Sequence, residues 1–170
     1  MAKRRTGGTP ATVALDRAGV DYRLLPYEHD PRAESYGLEA AEALGVDPAR
    51  VLKTLVTALD PRPGARARLV VGIVPVSTLL DLKALARAVG APRAAMADVA
   101  EAERATGYVA GGISPIGQRR QLATVVDRSA LDHPRVLVSA GRRGLDVELT
   151  PADLLAVTGG TVAEIGRASS

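Results

Sequence analysis

The sequence predicts an α+β fold, a single domain in which a mixed β-sheet is flanked by helices. Three observations predict it. Apolar stretches with helical spacing are interleaved with β-branched runs through the first two thirds of the chain. The later runs, at 124–126, 136–139 and 145–149, follow one another directly, which argues against a doubly wound parallel sheet. The length of 170 residues suits one domain that buries a full core without disulfide or metal staples.

Each element has a local cause. Thr9-Pro10 is an N-cap followed by proline at the first helical position, and Val13, Leu15 and Ala18 carry a short helix to Gly19. Residues 22–27 read as a strand, and the polar stretch 29–35, with Pro31, as a loop. Leu38, Ala41 and Leu44 form a helical stripe closed by Gly45, and Asp47-Pro48 opens another helical turn. Residues 51–59 are β-branched and apolar, 60–64 are a Pro/Gly turn, and 69–76 are almost wholly apolar, so a hairpin is expected whose second strand is buried on both faces. A helix is expected over 80–89, with Leu82, Leu85 and Val89 on one side. Asp98 should cap a helix through Arg104, and 106–117 is glycine-rich without helical periodicity. After the three consecutive strands, Thr150-Pro151 repeats the cap-plus-proline start for a helix through Val157, and 161–165 is a short strand. Residues 1–8 are expected to be a disordered basic tail, 9–167 the domain, and 168–170 a second tail.

Composition excludes several classes of chemistry. There is no cysteine, hence no thiol nucleophile, disulfide framework or thiolate metal site. His29 and His133 lie in different loops without ligand spacing, so no metal is expected. No apolar run is long enough for a membrane span. The net charge of +3 permits contact with a phosphate backbone, but four tyrosines are the only aromatics, too few for repeated base stacking. No Walker A motif, dinucleotide fingerprint or nucleophile elbow occurs; 112–117 has the glycines and a serine but the wrong spacing.

Four segments remain as candidates. The lysines are only Lys3, Lys53 and Lys83 in an arginine-rich chain, and Lys53 sits inside an otherwise core-like strand, Val51-Leu52-Lys53-Thr54-Leu55-Val56. Alternation puts Val51, Lys53 and Leu55 on one face and Leu52, Thr54 and Val56 on the other. A lysine there either snorkels out at a sheet edge or projects into a cleft. Gly111-Gly112-Ile113-Ser114-Pro115 is either an irregular turn or a loop whose backbone approaches a ligand. Ser139 to Leu149 is either a hairpin with two solvated arginines or a pocket rim with Ser139 and Asp146 at the site and Arg142 or Arg143 on phosphate. His29 reads better as a loop histidine bonded to the backbone than as a base, because no nucleophile partners it in sequence.

These segments, with Tyr27-Glu28-His29-Asp30 and Leu80-Asp81-Leu82-Lys83, resemble the YbaK/EbsC family, which shares its domain with the editing domain of bacterial prolyl-tRNA synthetases. The resemblance runs from about Thr9 to Arg167 and is nearest the free-standing YbaK type. It implies a mixed, strongly curved, barrel-like sheet flanked by helices. It implies a cytoplasmic trans-editing deacylase that removes cysteine from Cys-tRNA(Pro) without cofactor or metal, by attack of the substrate's own thiol. The implied partners are the aminoacyl-adenosine end and phosphate backbone of the tRNA, and prolyl-tRNA synthetase.

By the same resemblance, Lys53 holds the nucleotide end. Tyr27, Thr54, Ser139 and Asp146 line its pocket, and the backbone of Gly111 to Pro115 contacts the substrate. Tyr36 stands where phenylalanine is common, Leu52 where an aromatic is frequent, and Ala140 where glycine is. The alternatives are a deacylase for another mischarged tRNA, such as Ala-tRNA(Pro), and a non-catalytic tRNA- or synthetase-binding adaptor.

Overall fold

The structure is a computed structural model that describes residues 8–33, 35–60, 63–64 and 67–168. In chain order its elements are α1 (Pro10–Arg17), β1 (Arg23–Pro26), α2 (Tyr36–Leu44), a 3-10 turn at Pro48–Arg50, β2 (Leu52–Leu59), β3 (Arg68–Pro75), β4 (Thr78–Leu80), α3 (Leu82–Ala88), β5 (Ala94–Met96), α4 (Val99–Thr106), β6 (Ala123–Asp127), a 3-10 turn at Arg128–Asp132, β7 (Val136–Arg142), β8 (Leu145–Leu149), α5 (Pro151–Thr158), β9 (Thr161–Ala163) and β10 (Gly166–Ala168). The expected tails at 1–7 and 169–170, and Pro61-Arg62 of the expected turn, lie outside the described residues.

The expected hairpin forms: β2 and β3 pair antiparallel from Leu52 opposite Pro75 to Leu59 opposite Arg68. All of β3 after Arg68 is buried, as its unbroken apolar run requires. The sheet around it runs β5-β2-β3-β6-β9, with β3–β6 and β6–β9 parallel and the other pairs antiparallel, so it is mixed. A second, antiparallel sheet runs β1-β8-β7, and β4 pairs with β10. The pairing does not close a barrel. β5 and β9 remain edges of the larger sheet, and the two larger sheets meet at a single parallel bridge, Val51 with Leu137.

Capping chemistry explains where the boundaries moved. The third helix begins at Leu82 rather than at 80, because Asp81 accepts the Ala84 N–H at 3.0 Å while Leu79 and Leu80 pair with β10. Ala168 closes β10 opposite Thr78 instead of opening a tail. Asp98 stands at the start of α4, but its side chain makes no capping bond, and the helix continues past Arg104 to Thr106, where Gly107 at φ +80° ends it. Strands of three residues such as β4, β5 and β10 are too short to show alternation in sequence.

The main core lies where α1, α4, α5 and the β7–β8 hairpin meet one face of the larger sheet, with Leu15, Tyr22, Leu52, Val71, Val138 and Leu154 among its buried members. Asp127 ties the chain's last strands to it. One carboxylate oxygen accepts the Ile165 and Gly166 N–H groups at 2.9 and 2.8 Å, and the other accepts the N–H and hydroxyl of Ser129. Burial alone would raise this carboxyl, but the bonds from the Ser129 hydroxyl and the three N–H groups outweigh it and hold the pKa below its ordinary value of 3.8. A carboxyl held low contributes stability that is present above its unfolded pKa and disappears as pH falls through the folded one. Asp127→Ala should therefore cost about 2–4 kcal/mol at neutral pH, and urea melts should show the gap to wild type closing below about pH 4.

Candidate active site

The cavity that gathers the candidate residues has a volume of about 380 Å³. Six consecutive residues of one strand region, Val51 to Val56, line it. Side chains on one face of a strand recur every second residue, so six in a row means that the cavity wraps the strand's edge. The pairing shows why that edge is open. β7 touches it at the Val51–Leu137 bridge, and β5 covers it only from Thr57 onward, with the Ala97 N–H bonded to the Val56 carbonyl at 3.0 Å. Between these two points no strand pairs with that edge of β2 among the described residues.

Lys53 lies in this window, half-buried, and makes no ion pair among the described residues. Lys53 thus stands beside an open strand edge and lines the cavity at once. Burial lowers its pKa below the ordinary 10.5. Thr54 beside it has a buried hydroxyl with no hydrogen-bond partner.

The opposite wall comes from β7 and β8, where Ser139 and Asp146 face each other across the ladder. Both line the cavity. The Ser139 hydroxyl accepts the Gly141 N–H at 3.1 Å, inside the bulge that shifts the β7–β8 register between Ser139 and Arg142. Asp146 is almost fully buried, and desolvation pushes its carboxyl up to about 7. Tyr27, which follows β1 and donates its N–H to the Gly144 carbonyl at 2.9 Å, is raised to about 12 by burial and then by the Asp146 charge.

Tyr36, at the start of α2, forms a third wall and is held from both sides. The His29 ring packs against it at 5.7 Å between centroids, and the Arg143 guanidinium lies 4.8 Å from its centre. His29 departs from the expectation of a backbone bond: its Nδ1 is 2.9 Å from Glu39 Oε1, and the other Glu39 oxygen accepts the Asp30 N–H at 2.7 Å. Arg143 donates twice to the Ala110 carbonyl, from Nε at 3.1 Å and Nη2 at 2.7 Å, while the Ala110 N–H bonds Glu103 at 2.8 Å. Its guanidinium thus joins Tyr36 to the glycine loop, while Arg142 stays exposed and without an ion pair among the described residues.

The glycine loop divides in two. Ala110, Gly111 and Ile113 line the cavity; Gly112, Ser114 and Pro115 do not. The Gly112 N–H is bonded to the Val109 carbonyl at 2.9 Å, whereas Gly111 makes no such bond among the described residues. Ser114 is fully buried and accepts the Ile116 N–H at 3.1 Å, so it shapes the loop from behind. Sequence reasoning missed the apolar lining: Gly37 and Ala40 on α2, Met96 and Ala97 at β5, and Val99 and Ala102 on α4. Such residues carry no chemical signal, and β5 itself was unreadable.

An edge-opened pocket with a lysine that makes no ion pair among the described residues, a buried carboxyl and a glycine loop, on a mixed α+β scaffold, is the candidate ligand site of this fold. Residues 30–157 match the model of the aminoacyl-tRNA editing domain, and the chain belongs to that family. It is 37% identical over 169 residues to a protein of Enterococcus faecalis (strain ATCC 700802 / V583) named as the Cys-tRNA(Pro)/Cys-tRNA(Cys) deacylase EbsC, covering 97% of this chain and 98% of that one. Among solved structures it superimposes with a TM-score of 0.79 on a protein described as a trans-editing enzyme for prolyl tRNA synthetase, at 27% identity over 93% of this chain and 95% of that one. A hypothetical protein, APE2540, gives a TM-score of 0.80 at 26% identity, over 93% and 99% of the two chains.

Two outcomes follow from this geometry. A raised carboxyl favours the fold below its unfolded pKa and loses that contribution as pH rises through the folded value. Wild-type stability should fall between about pH 4 and 7, by at most about 1.4 kcal/mol per pH unit from this group, and Asp146→Asn should flatten that part of the curve in denaturant titrations. The second concerns Gly111, whose φ is +90° and where an added Cβ would stand 2.5 Å from Arg143 Nε and 2.9 Å from the Tyr36 ring. Gly45 at φ +65° has open space instead. Gly111→Ala should lower stability by about 1–3 kcal/mol and by clearly more than Gly45→Ala in parallel thermal melts.

Proposed function

We propose that the chain is a trans-editing deacylase that removes cysteine from mischarged Cys-tRNA(Pro). The observation that carries this reading is Lys53, a half-buried cation without a carboxylate partner among the described residues, in the lining of an otherwise largely apolar cavity. An uncompensated ammonium in such a place suits an anion brought by the ligand. A volume of about 380 Å³ admits a terminal aminoacyl-nucleoside but not a duplex. Family membership and the EbsC-like sequence supply the substrate class.

The chemistry required of the protein is then modest. The substrate thiol attacks its own ester carbonyl, the new carbon–sulfur bond closes a thiolactone, and the carbon–oxygen bond to the ribose breaks. The thiol proton ends on the ribose oxygen. No side-chain nucleophile is needed, in keeping with a chain that has no cysteine. Lys53 clamps the phosphate or ribose of the terminal nucleotide. The Gly111 N–H, left without a partner among the described residues, is placed to receive charge developing on the ester oxygen. Asp146, with a pKa of about 7, can hold or pass one proton at neutral pH. Tyr27 and Tyr36 confine the aminoacyl group, which favours the cyclising conformation. Prolyl-tRNA synthetase is the proposed partner, by analogy with the trans-editing structure.

The test is a panel of tRNA(Pro) charged with cysteine, serine, alanine or proline and incubated with purified protein. Cysteine should be released fastest and serine poorly, since a hydroxyl is the weaker nucleophile. Lys53→Ala should lower the cysteine rate roughly 100-fold or more while its melting curve stays close to wild type. Full activity in Lys53→Ala overturns the reading. Faster release of alanine reassigns the substrate, and no release at all leaves a binding module.

A further inference from the structure

The glycine loop is bordered by arginines that do not line the cavity. Arg119 and Arg120 are exposed and stand on the last turn of α4, where their N–H groups donate to the Thr106 and Ala105 carbonyls at 2.8 and 3.1 Å. Arg104, also exposed, belongs to that turn. Arg142 reaches the same loop from the β7 bulge. A Cβ on Gly112 would stand 2.8 Å from the Arg142 Cα, and one on Gly107 would stand 3.3 Å from the Arg119 Cβ. The buried Tyr108 joins these pieces: its hydroxyl donates to the Ile116 carbonyl at 2.6 Å, and a Cβ on Gly141 would stand 2.8 Å from its ring. Four cations thus border one loop, and none makes an ion pair among the described residues.

Packing does not account for them. The α4 carbonyls are already met by two backbone N–H groups, so no guanidinium is needed as a cap. A cation beside a helix C-terminus gains only about 0.3–1 kcal/mol, and repulsion among like charges opposes a cluster. No acidic residue occurs in 104–120 or 139–144. Of the acids that flank these stretches, Glu103 accepts the Ala110 N–H and Asp146 is buried in the cavity lining. An uncompensated basic surface of this kind attracts a polyanion.

We propose that Arg104, Arg119, Arg120 and Arg142 form the surface that holds the phosphates of the tRNA acceptor end where it leaves the cavity. The inference rests on the deacylase reading above and deepens it with a contact outside the pocket. The reach fits. Gly111 lines the cavity, Arg142 packs beside the next residue, and Gly107, which meets Arg119, precedes Ala110 of the lining by three residues. Three residues span at most about 11 Å, and phosphates of one strand follow one another at about 3.4 Å along a duplex. Arg142 is then placed for the phosphates nearest the terminal nucleoside, and the α4 arginines for those within about the next three. Arg143 is not part of the surface, because it is engaged with Ala110 and Tyr36. Contacts to phosphate carry no sequence information, so the surface selects tRNA over a free amino acid ester and leaves amino-acid choice to the pocket.

The test compares wild type with Arg119→Gln/Arg120→Gln/Arg142→Gln and with a control of equal charge, Arg68→Gln/Arg87→Gln/Arg167→Gln, whose arginines are exposed on β3, α3 and β10. The substrates are Cys-tRNA(Pro) and the cysteinyl ester of adenosine, which has the terminal nucleoside and no phosphate. The loop variant should raise KM for the tRNA about tenfold or more, with kcat near wild type and the adenosine ester cleaved at the wild-type rate. Raising salt from about 50 to about 200 mM should cost wild type roughly 20- to 40-fold more in kcat/KM on tRNA than it costs the loop variant. The triple Arg→Lys variant at the same three positions should recover most of the affinity, since a phosphate contact needs the charge more than the planar fork. An equal loss in the control, or an equal loss on the adenosine ester, overturns the proposal. Filter binding of uncharged tRNA(Pro) separates it from the deacylase reading. Deacylation with tRNA affinity unchanged in the loop variant overturns the surface, reassigns it to an acidic protein partner and leaves the deacylase standing. Binding that depends on the three arginines without deacylation in wild type keeps the surface and removes the deacylase, and absence of both removes both.

Discussion

A strand inside a sheet has two rows of backbone groups to satisfy, and β2 satisfies only one of them along its whole length. β3 covers one side without a gap, from Leu52 to Leu59. On the other side β7 meets the strand at one bridge and β5 joins it three residues before its end. The larger and smaller sheets separate between those points, and the separation is the cavity. Everything else at the site is arranged around that opening. Residues of α2, α4, the β7–β8 hairpin and the glycine loop complete its lining. Had β5 continued along β2, Lys53 and Thr54 would sit beside an ordinary ladder.

The electrostatics of the opening carry one signature. Lys53 is lowered and Asp146 raised, and burial is the cause of both. A lysine and an aspartate in contact would shift the other way, each stabilising the other's charge. Both line the cavity, and no ion pair joins them among the described residues. Burial holds the Asp146 carboxyl at about 7. A site that relies on a reacting group brought by the substrate needs placement and field more than it needs a nucleophile.

Rigidity comes from a chain of contacts behind the walls. Glu39 holds His29, His29 packs on Tyr36, Tyr36 lies under Arg143, Arg143 grips Ala110, and Ala110 is tied to Glu103 on α4. Two elements that line the cavity, α2 and α4, are thereby linked. Gly111 is glycine because the loop passes between Tyr36 and Arg143 with no room for a Cβ. Arg143 braces Tyr36 and Ala110 from an exposed position, and Arg142 beside it is exposed without an ion pair among the described residues.

The residues alone determined the long elements and, through the family resemblance, named polar groups that the cavity lining brings together. Apolar periodicity, threonine and serine caps, and glycine stops are local signals, so α1, α2, the β2–β3 hairpin and the β7–β8 hairpin were legible before any pairing was known. Lys53, Tyr27, Ser139 and Asp146 were legible because several spaced motifs resembled one family in the same order. The short strands β4, β5 and β10 were not, since three residues have no period and their pairing partners lie far away in sequence. For the same reason the tertiary structure alone decided that Lys53 and Thr54 stand at an open edge, that Asp146 is desolvated, and that Gly112, Ser114 and Arg143 support the site from outside the cavity. Those properties depend on where a neighbouring strand stops, and no local sequence pattern encodes the end of another strand.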